Sequence, residues 1–220
     1  MTRYRDRLPQ LSGEFFLTDA GMETDLIFNH GINIREFAAH TLLPEVAGRE
    51  AMARYFRHFL SLALETQAGF ILDSQTWKAH MHWAEDLGAT EDELRHSNQN
   101  SVEFIAGLRD EFEKNTKPIV LNDLIGPRGD AYAPEVEIAA QGAEEYHAKQ
   151  IGWLAGTDID MVTALTFTQS DEAIGVVRAA NKVGLPIAVS FTVETDGNLP
   201  TQQPLNEAID AVDKATGAGA

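Results

Sequence analysis

The segment AGFILDSQTW, residues 68–77, carries the pattern that decides the fold. Its apolar half, residues 68–72, shows no alternation of apolar and polar side chains, which is typical of a parallel strand covered on both faces. Its second half, residues 73–77, turns polar at once. The segment therefore predicts a buried strand whose polar side chains begin where the strand ends.

The same pattern recurs along the chain and alternates with helical periodicity. Helical spacing of apolar residues separates the runs, and Thr90 with Glu93 forms a capping-box pattern at the start of one helix. The other predicted strands are residues 15–17, 118–121, 160–167 and 186–192, and the predicted helices are residues 43–67, 90–114, 135–155, 170–183 and 205–216. Strands that alternate with helices predict an α/β fold with a parallel sheet.

The loops after the strands favour a barrel over a doubly wound sheet. Polar, Gly and Pro residues concentrate there, in DAGMET, DSQTW, NDLIGPRGD, TFTQS and TVETDG, where both architectures bind ligands. No GxGxxG follows the first strand and no GxxxxGK[ST] occurs. A complete (β/α)8 barrel needs about 250 residues. The loops therefore favour a TIM-type barrel, and we expect one domain over residues 1–220 with no second domain.

Composition excludes several functional classes. The 220 residues include 17 Lys and Arg against 34 Asp and Glu, a net charge of −17, and no cysteine. This charge repels nucleic-acid phosphates and anionic lipids, and no apolar stretch reaches the length of a membrane helix. The N-terminus lacks the apolar core of a signal peptide. We expect a cytoplasmic protein that acts on a small molecule, with no nucleic-acid or membrane partner.

Two strand-end loops offer candidate binding groups. Asp19 follows the first strand and precedes Gly21, so its carboxylate can hold an ammonium group; it could equally be a turn residue or a helix N-cap. Glu23 lies in the same loop. The segment GPRGD at residues 126–130 permits close backbone approach and offers the Arg128 guanidinium, or it forms a tight surface turn.

Three blocks of sequence together resemble the homocysteine S-methyltransferase family, which includes the homocysteine domain of methionine synthase. LTDAGMETDL at 17–26 resembles the family's opening Asp-Gly segment, and IGPRGDAY at 125–132 resembles its G-P-x-G-D-x-Y loop. SFTVETDGNLPTQQPLNEAI at 190–209 resembles a third family segment. Three ordered blocks at strand ends are more specific than any one of them.

The resemblance implies a zinc-dependent enzyme that transfers a methyl group to the thiol of homocysteine and gives methionine. Zinc lowers the pKa of a bound thiol and so supplies the nucleophilic thiolate. Asp19 corresponds to the acid that receives the substrate's amino group, beside the backbone of Ala20 and Gly21. Residues expected to bind substrate are Asp19, Ala20, Gly21, Glu23, Thr166 and Glu194, and those expected to line the barrel mouth are Gly126, Pro127, Arg128, Gly129 and Asp130.

Two substitutions depart from the family pattern within the chain. Leu165 stands where the family has a glutamate that helps to hold homocysteine, and leucine cannot accept a hydrogen bond from an ammonium group. Another acid must hold the amino group, for which Glu194 is the candidate, or the substrate differs. Gln202 replaces the glycine of the third block. The methyl donor could be S-methylmethionine, S-adenosylmethionine, a betaine or a methylfolate.

The zinc ligands implied by the resemblance are cysteines, and this chain contains none. On the family's plan they follow the fifth βα unit, so the resemblance implies an incomplete (β/α)8 TIM barrel with about five of eight βα units. We expect a truncated chain that binds no zinc, in which no catalytic residue is identified, and which transfers little or no methyl alone. The alternative function is a catalytically inactive barrel fragment that binds an amino acid or serves as an assembly module. Open strand edges recruit partners, which predicts a homo-oligomer. A different barrel enzyme such as an aldolase would need a strand-end lysine, and Lys78 is the nearest.

Overall fold

The structure is a computed structural model that describes residues 2–114, 117–131 and 138–220. Five strands alternate with helices along the chain, which confirms the α/β class. The strands are β1 (Phe16–Thr18), β2 (Gly69–Asp73), β3 (Ile119–Ile125), β4 (Met161–Phe167) and β5 (Ile187–Phe191). The helices are α1 (Met22–Thr24), α2 (Val46–Thr66), α3 (Ala84–Leu87), α4 (Glu91–Phe112), α5 (Ala140–Leu154), α6 (Ser170–Lys182) and α7 (Leu205–Thr216).

The chain divides into two compact units. The first comprises Met1–Asp123 with Thr157–Asp160, and the second comprises Leu124–Gly156 with Met161–Ala220. In the first unit β2 pairs in parallel with both β1 and β3. In the second unit β4 pairs in parallel with β5.

The predicted elements agree with the structure to within a few residues. β3 extends four residues beyond the predicted end at residue 121, because the polar pair Asn122 and Asp123 continues the strand while buried. The start of the predicted helix 135–155 lies outside the described residues, and α5 begins at Ala140. Short helical turns between residues 22 and 42 and between 81 and 87 were not predicted, since segments this short carry too few apolar positions to show a period.

Buried strands and amphipathic helices form the core of the first unit. Phe70 and Leu72 of β2 are fully buried, as the unbroken apolar run predicts. Helix α4 begins with the predicted capping box: the Glu93 N–H donates to the Thr90 hydroxyl, and the Thr90 N–H donates to the Glu93 carboxylate. These contacts satisfy N–H groups that a helix start leaves free.

A buried ion pair between Arg109 and Asp160 connects several segments of the first unit. Asp160 is fully buried and its Oδ2 accepts hydrogen bonds from the Arg109 guanidinium at 3.1 Å and the Leu121 N–H at 3.0 Å. Its Oδ1 accepts from the backbone N–H groups of Arg3 and Tyr4, each at 2.9 Å. One carboxylate thereby holds the N-terminal segment, α4 and β3 together.

In the second unit α5 and α6 approach closely at a glycine. A Cβ built on Gly175 would lie 2.6 Å from the Glu144 backbone nitrogen and 2.7 Å from the Ala140 carbonyl oxygen. No real side chain fits at such distances, so glycine is what allows the two helices to pack. The two helices bury Ala143, Ile151 and Val177.

Candidate functional site

Polar side chains collect at the carboxyl ends of the first unit's strands. Asp19 follows β1 directly, Asp73 is the last residue of β2, and Asn122 and Asp123 lie near the end of β3. The parallel register places Asp73 opposite Asn122. The carboxyl ends of parallel strands lie at one edge of a sheet, so these four polar residues, which come from three strands, share this edge.

Asp19 and Asp73 form a carboxyl pair. The two side chains hydrogen-bond to each other, and the Asn122 amide donates to Asp73 Oδ1 at 2.7 Å. Burial, followed by the charge of Asp73, raises the pKa of Asp19 to about 8, and burial raises the pKa of Asp73 to about 6. Two carboxylates in contact cannot both ionise easily, so the pair keeps one proton near neutral pH.

Tyr55 of α2 joins the pair to the backbone after β1. Its hydroxyl donates to the Asp19 carboxylate and accepts from the Ala20 N–H at 3.0 Å. The hydrogen bond from Tyr55 favours the ionised form of Asp19 and opposes the rise in its pKa. Burial and the charge of Asp19 raise the pKa of Tyr55, which keeps its proton and remains a donor.

A second buried acid lies behind the pair. Asp123 accepts hydrogen bonds from the hydroxyls of Ser74 at 3.0 Å and Thr76 at 2.8 Å. Burial raises the pKa of Asp123 to about 7, and the charge of Asp73 adds to the effect. Ser74 and Thr76 thus hold Asp123 as part of the same polar edge.

The loop after β1 supplies further predicted site residues. Asp19 is half-buried, whereas Ala20 and Gly21 are exposed, so a ligand can reach them from solvent. Glu23 lies in α1, where burial raises its pKa, and its charge acts on Asp19. A cavity of about 510 Å³ adjoins this loop, lined by Ala20, Gly21 and the Tyr55 side of α2. Asp19 is not among its lining residues.

The remaining predicted substrate-binding residues lie in the second unit. Thr166 interrupts the register of β4 and β5 and has a φ of 62°, a left-handed conformation that is rare for threonine. Its hydroxyl donates to the Leu165 carbonyl oxygen at 2.6 Å. Backbone strain of this kind is concentrated at functional sites. Glu194 is exposed in the loop after β5, and its N–H donates to the Asn198 carbonyl oxygen.

The loop at residues 126–130 is anchored within the second unit. Gly126 and Pro127 are buried, while Gly129 has a φ of 99° that requires glycine. The Arg128 N–H donates to the buried Glu172 carboxylate, which His147 also contacts at 2.9 Å. The Arg128 guanidinium stacks on the Tyr146 ring with 5.1 Å between the guanidinium carbon and the ring centroid.

This arrangement gives Arg128 a packing role. Its guanidinium lies against the Tyr146 ring in a cation–π contact. Asp130 is exposed at the end of the same loop, and Tyr132 of the matching motif lies outside the described residues.

Sequence reasoning missed Asp73, Tyr55, Asn122 and Asp123. The loops containing Asp73 and Asp123 were recognised as ligand-binding positions, but no single residue was chosen in either. The sequence carries a signal for the two acids, because Asp73 directly follows an apolar run and Asp123 lies within one. Tyr55 gave no signal, since an aromatic residue on the apolar stripe of a helix is usually a packing residue.

The donor groups that the structure describes do not form a metal site. Among residues 2–114, 117–131 and 138–220, no three His, Asp or Glu side chains come together in a way that could hold a metal ion. The chain has no cysteine, so it offers no thiolate ligand. We therefore assign no metal ligands.

Within the part of the chain that the structure describes, none of the helices combines the length and apolar character needed to cross a membrane.

Comparisons with known proteins identify the family. The family model described as homocysteine S-methyltransferase matches residues 16–220. A comparison with curated proteins finds no match. The fold resembles that of solved structures of the homocysteine methyltransferase MmuM from Escherichia coli, all at 16% sequence identity.

The structural likeness covers most of the chain. The metallated form of MmuM has a TM-score of 0.77 and covers 94% of this chain and 74% of that chain. The oxidized form has a TM-score of 0.73, with 93% and 71% covered, and the apo form 0.68, with 94% and 70% covered. This likeness and the succession of parallel βα units confirm the incomplete (β/α)8 TIM-barrel type. The chain belongs to the homocysteine S-methyltransferase family.

Proposed function

We propose that this protein binds homocysteine and serves in the transfer of a methyl group to its thiol, which gives methionine. The observation that carries the proposal is the carboxyl pair of Asp19 and Asp73 at the strand ends of a chain from this family. An ionised carboxylate at this edge is a partner for the ammonium group of an amino acid. The exposed backbone of Ala20 and Gly21 lies beside it.

The described residues account for binding and orientation. Asp19 accepts hydrogen bonds from the ammonium group, Tyr55 holds the Asp19 carboxylate in place, and Glu23 adds negative charge beside it. Thr166, Glu194 and the loop at residues 126–130 lie in the second unit and are kept as separate proposed substrate-binding and mouth-lining residues. Methyl transfer requires the thiolate form of the substrate. We derive no step for thiol deprotonation, because the residues present do not form a metal site.

The first experiment measures homocysteine binding by isothermal titration calorimetry at pH 8, with wild type and Asp19→Asn. Hydrogen bonds to a charged group contribute about 1.5–3 kcal/mol, so we expect the variant to bind about 10- to 100-fold more weakly. Asp210→Asn, which removes an exposed charge on α7, is the matched control and should bind like wild type. A wild-type protein with no affinity for homocysteine would refute the proposal.

A second experiment separates binding from transfer. The protein is incubated with homocysteine, zinc and each of S-methylmethionine, S-adenosylmethionine, glycine betaine and methyltetrahydrofolate, and methionine is measured by mass spectrometry. Methionine formed with one donor supports an S-methyltransferase. Homocysteine binding without methionine favours the alternative of an amino-acid-binding protein. The lack of cysteine, and of a metal-holding group among the described residues, supports that alternative.

Association and location complete the proposal. β1 pairs with β2 and has a second backbone edge, and Phe15 just before it is 71% exposed. Such an edge supports the proposed homo-oligomer, and light scattering at micromolar concentration tests it; a monomer would contradict it. The cytoplasmic location is tested by cell fractionation.

A further inference from the structure

The contact between Asp19 and Asp73 has a consequence for how a ligand binds. The two acids lie at the carboxyl ends of adjacent strands, close enough to act on each other's ionisation, and each has another neutral group beside it. Tyr55 donates to Asp19, and Asn122 donates to Asp73. Two carboxyl groups can hydrogen-bond to each other only if one of them carries a proton.

The surroundings of the pair supply negative charge and polar donors. The charged or titratable groups that act on Asp19 are Asp73, Glu23 of α1 and Tyr55 of α2. The charge of Asp73 also raises the pKa of Asp123 in β3. The side chains of Arg54 and His58 lie on the cavity side of α2. An arriving ammonium group therefore meets a pair of acids that together carry one negative charge and still hold one proton.

One further acceptor lies at the same strand end. The Gln75 side chain is buried, and its amide nitrogen donates to the Asp73 carbonyl oxygen at 3.4 Å. Among the described residues its side-chain oxygen has no hydrogen-bond partner. A buried acceptor without a donor is costly, and an ammonium N–H would satisfy it.

We propose that Asp73 is a positioning residue for Asp19: the two carboxyl groups hold one proton between them, and the ammonium group of the ligand displaces that proton when it binds. The ligand part of this inference rests on the proposed function. No covalent bond changes, because the ligand keeps its own proton and the displaced one goes to solvent. Binding is then linked to pH. Affinity increases with pH, by up to tenfold per unit, until the pair has lost its proton.

The shared proton is measured first without ligand. Carboxyl carbon shifts are followed by NMR from pH 3 to 9, and the signals of Asp19 and Asp73 are assigned by their loss in Asp19→Asn and Asp73→Asn. We expect one proton to leave the pair below neutral pH and the other above it. In Asp73→Asn the Asp19 step should move down by about one pH unit or more, since a like charge is removed.

Tyr55→Phe provides an independent variant if Asp73→Asn does not fold. It removes a hydrogen bond that favours the Asp19 carboxylate, so the last step of the pair should move to higher pH. Asp210→Asn should leave both steps unchanged. Titration of both carboxyl groups to completion below pH 5 in wild type would overturn the inference.

Proton release is then measured by calorimetry at pH 7 in two buffers that differ in ionisation enthalpy. Methionine is the probe, because its side chain has no titrating group. We expect release approaching one proton per methionine in wild type and clearly less in Asp73→Asn. Binding without proton release overturns this inference and leaves the proposed function standing. A shared proton without affinity for methionine or homocysteine overturns the proposed function instead.

Discussion

Replacement of Asp160 by asparagine is expected to cost more stability than any comparable surface change. The substitution keeps the size of the side chain but removes its charge and turns one acceptor oxygen into a donor NH₂. Wild-type Asp160 accepts four hydrogen bonds, from the Arg109 guanidinium and from the backbone N–H groups of Arg3, Tyr4 and Leu121. Each carboxylate oxygen of Asp160 accepts two of these hydrogen bonds. In the variant an NH₂ group replaces one of the two oxygens, so two N–H donors face another donor.

The magnitude follows from the burial of both partners. Arg109 is 2% exposed and Asp160 is fully buried, so the arginine would lose the buried carboxylate that it hydrogen-bonds. Removing one partner of a buried pair typically costs about 3–5 kcal/mol. Because whole domains are stable by about 5–15 kcal/mol, the variant should lose a large part of its free energy of unfolding.

The assay is urea unfolding followed by circular dichroism at pH 7. Asp160→Asn should shift the midpoint strongly to lower urea. The matched control is Glu111→Gln, because Glu111 forms a bidentate pair with Arg57 in which both side chains are nearly half exposed. Exposed pairs contribute about 1 kcal/mol or less, so the control should shift little.

A further variant tests the cause of the loss. Arg109→Met combined with Asp160→Asn removes the unpaired charge and should recover part of the stability lost in the single variant. If Asp160→Asn unfolds within about 1 kcal/mol of wild type, the ion pair is not what holds the N-terminal segment, α4 and β3 together, and the reasoning is refuted.

Three further predictions concern backbone conformation, helix packing and pH. Gln202 occupies the position of a family glycine and has a φ of 66°, so Gln202→Gly should stabilise the protein by about 1 kcal/mol, and an unchanged urea midpoint would contradict the strain. Gly175→Ala should destabilise the protein by about 2 kcal/mol because its Cβ would meet Ala143 and the α5 backbone. Gly107→Ala, which has open space around it, should be neutral or stabilising. Equal urea midpoints for the two variants would count against the close packing of α5 and α6. Burial lowers the pKa of His40 to about 4, so the neutral imidazole contributes to stability above about pH 6.5, and about 3 kcal/mol of that stability is lost as the pH falls towards 4. His40→Leu should not show this part of the loss of stability in acid. Parallel profiles of stability against pH for the variant and wild type would refute the prediction.

The sequence correctly predicted the order and type of the major elements. Unbroken apolar runs such as residues 68–72 identify strands covered on both faces, and the Thr90 capping box identifies the start of α4. These signals are local, because they depend on spacing along one element. The three family motifs likewise lie in continuous segments, which is why the family could be predicted from them.

The candidate site was predicted only in part. Asp19 was selected because it follows a strand and precedes a glycine, and it lies at the strand ends as expected. Its partner Asp73 is 54 residues further along the chain, and nothing in the spacing links the two. The sequence names Glu194 as a candidate second acid, which stays a prediction, and the structure adds Asp73 beside Asp19.

By itself the sequence determined the α/β class, the family and the absence of cysteine, because periodicity, motif and composition are properties of the linear chain. Only the tertiary structure decided that Asp19 and Asp73 touch, that Tyr55 reaches the loop after β1, and that Asp160 binds Arg109. The physical reason is that parallel pairing brings together residues far apart in sequence. Their burial then changes their charge state, which no local pattern records.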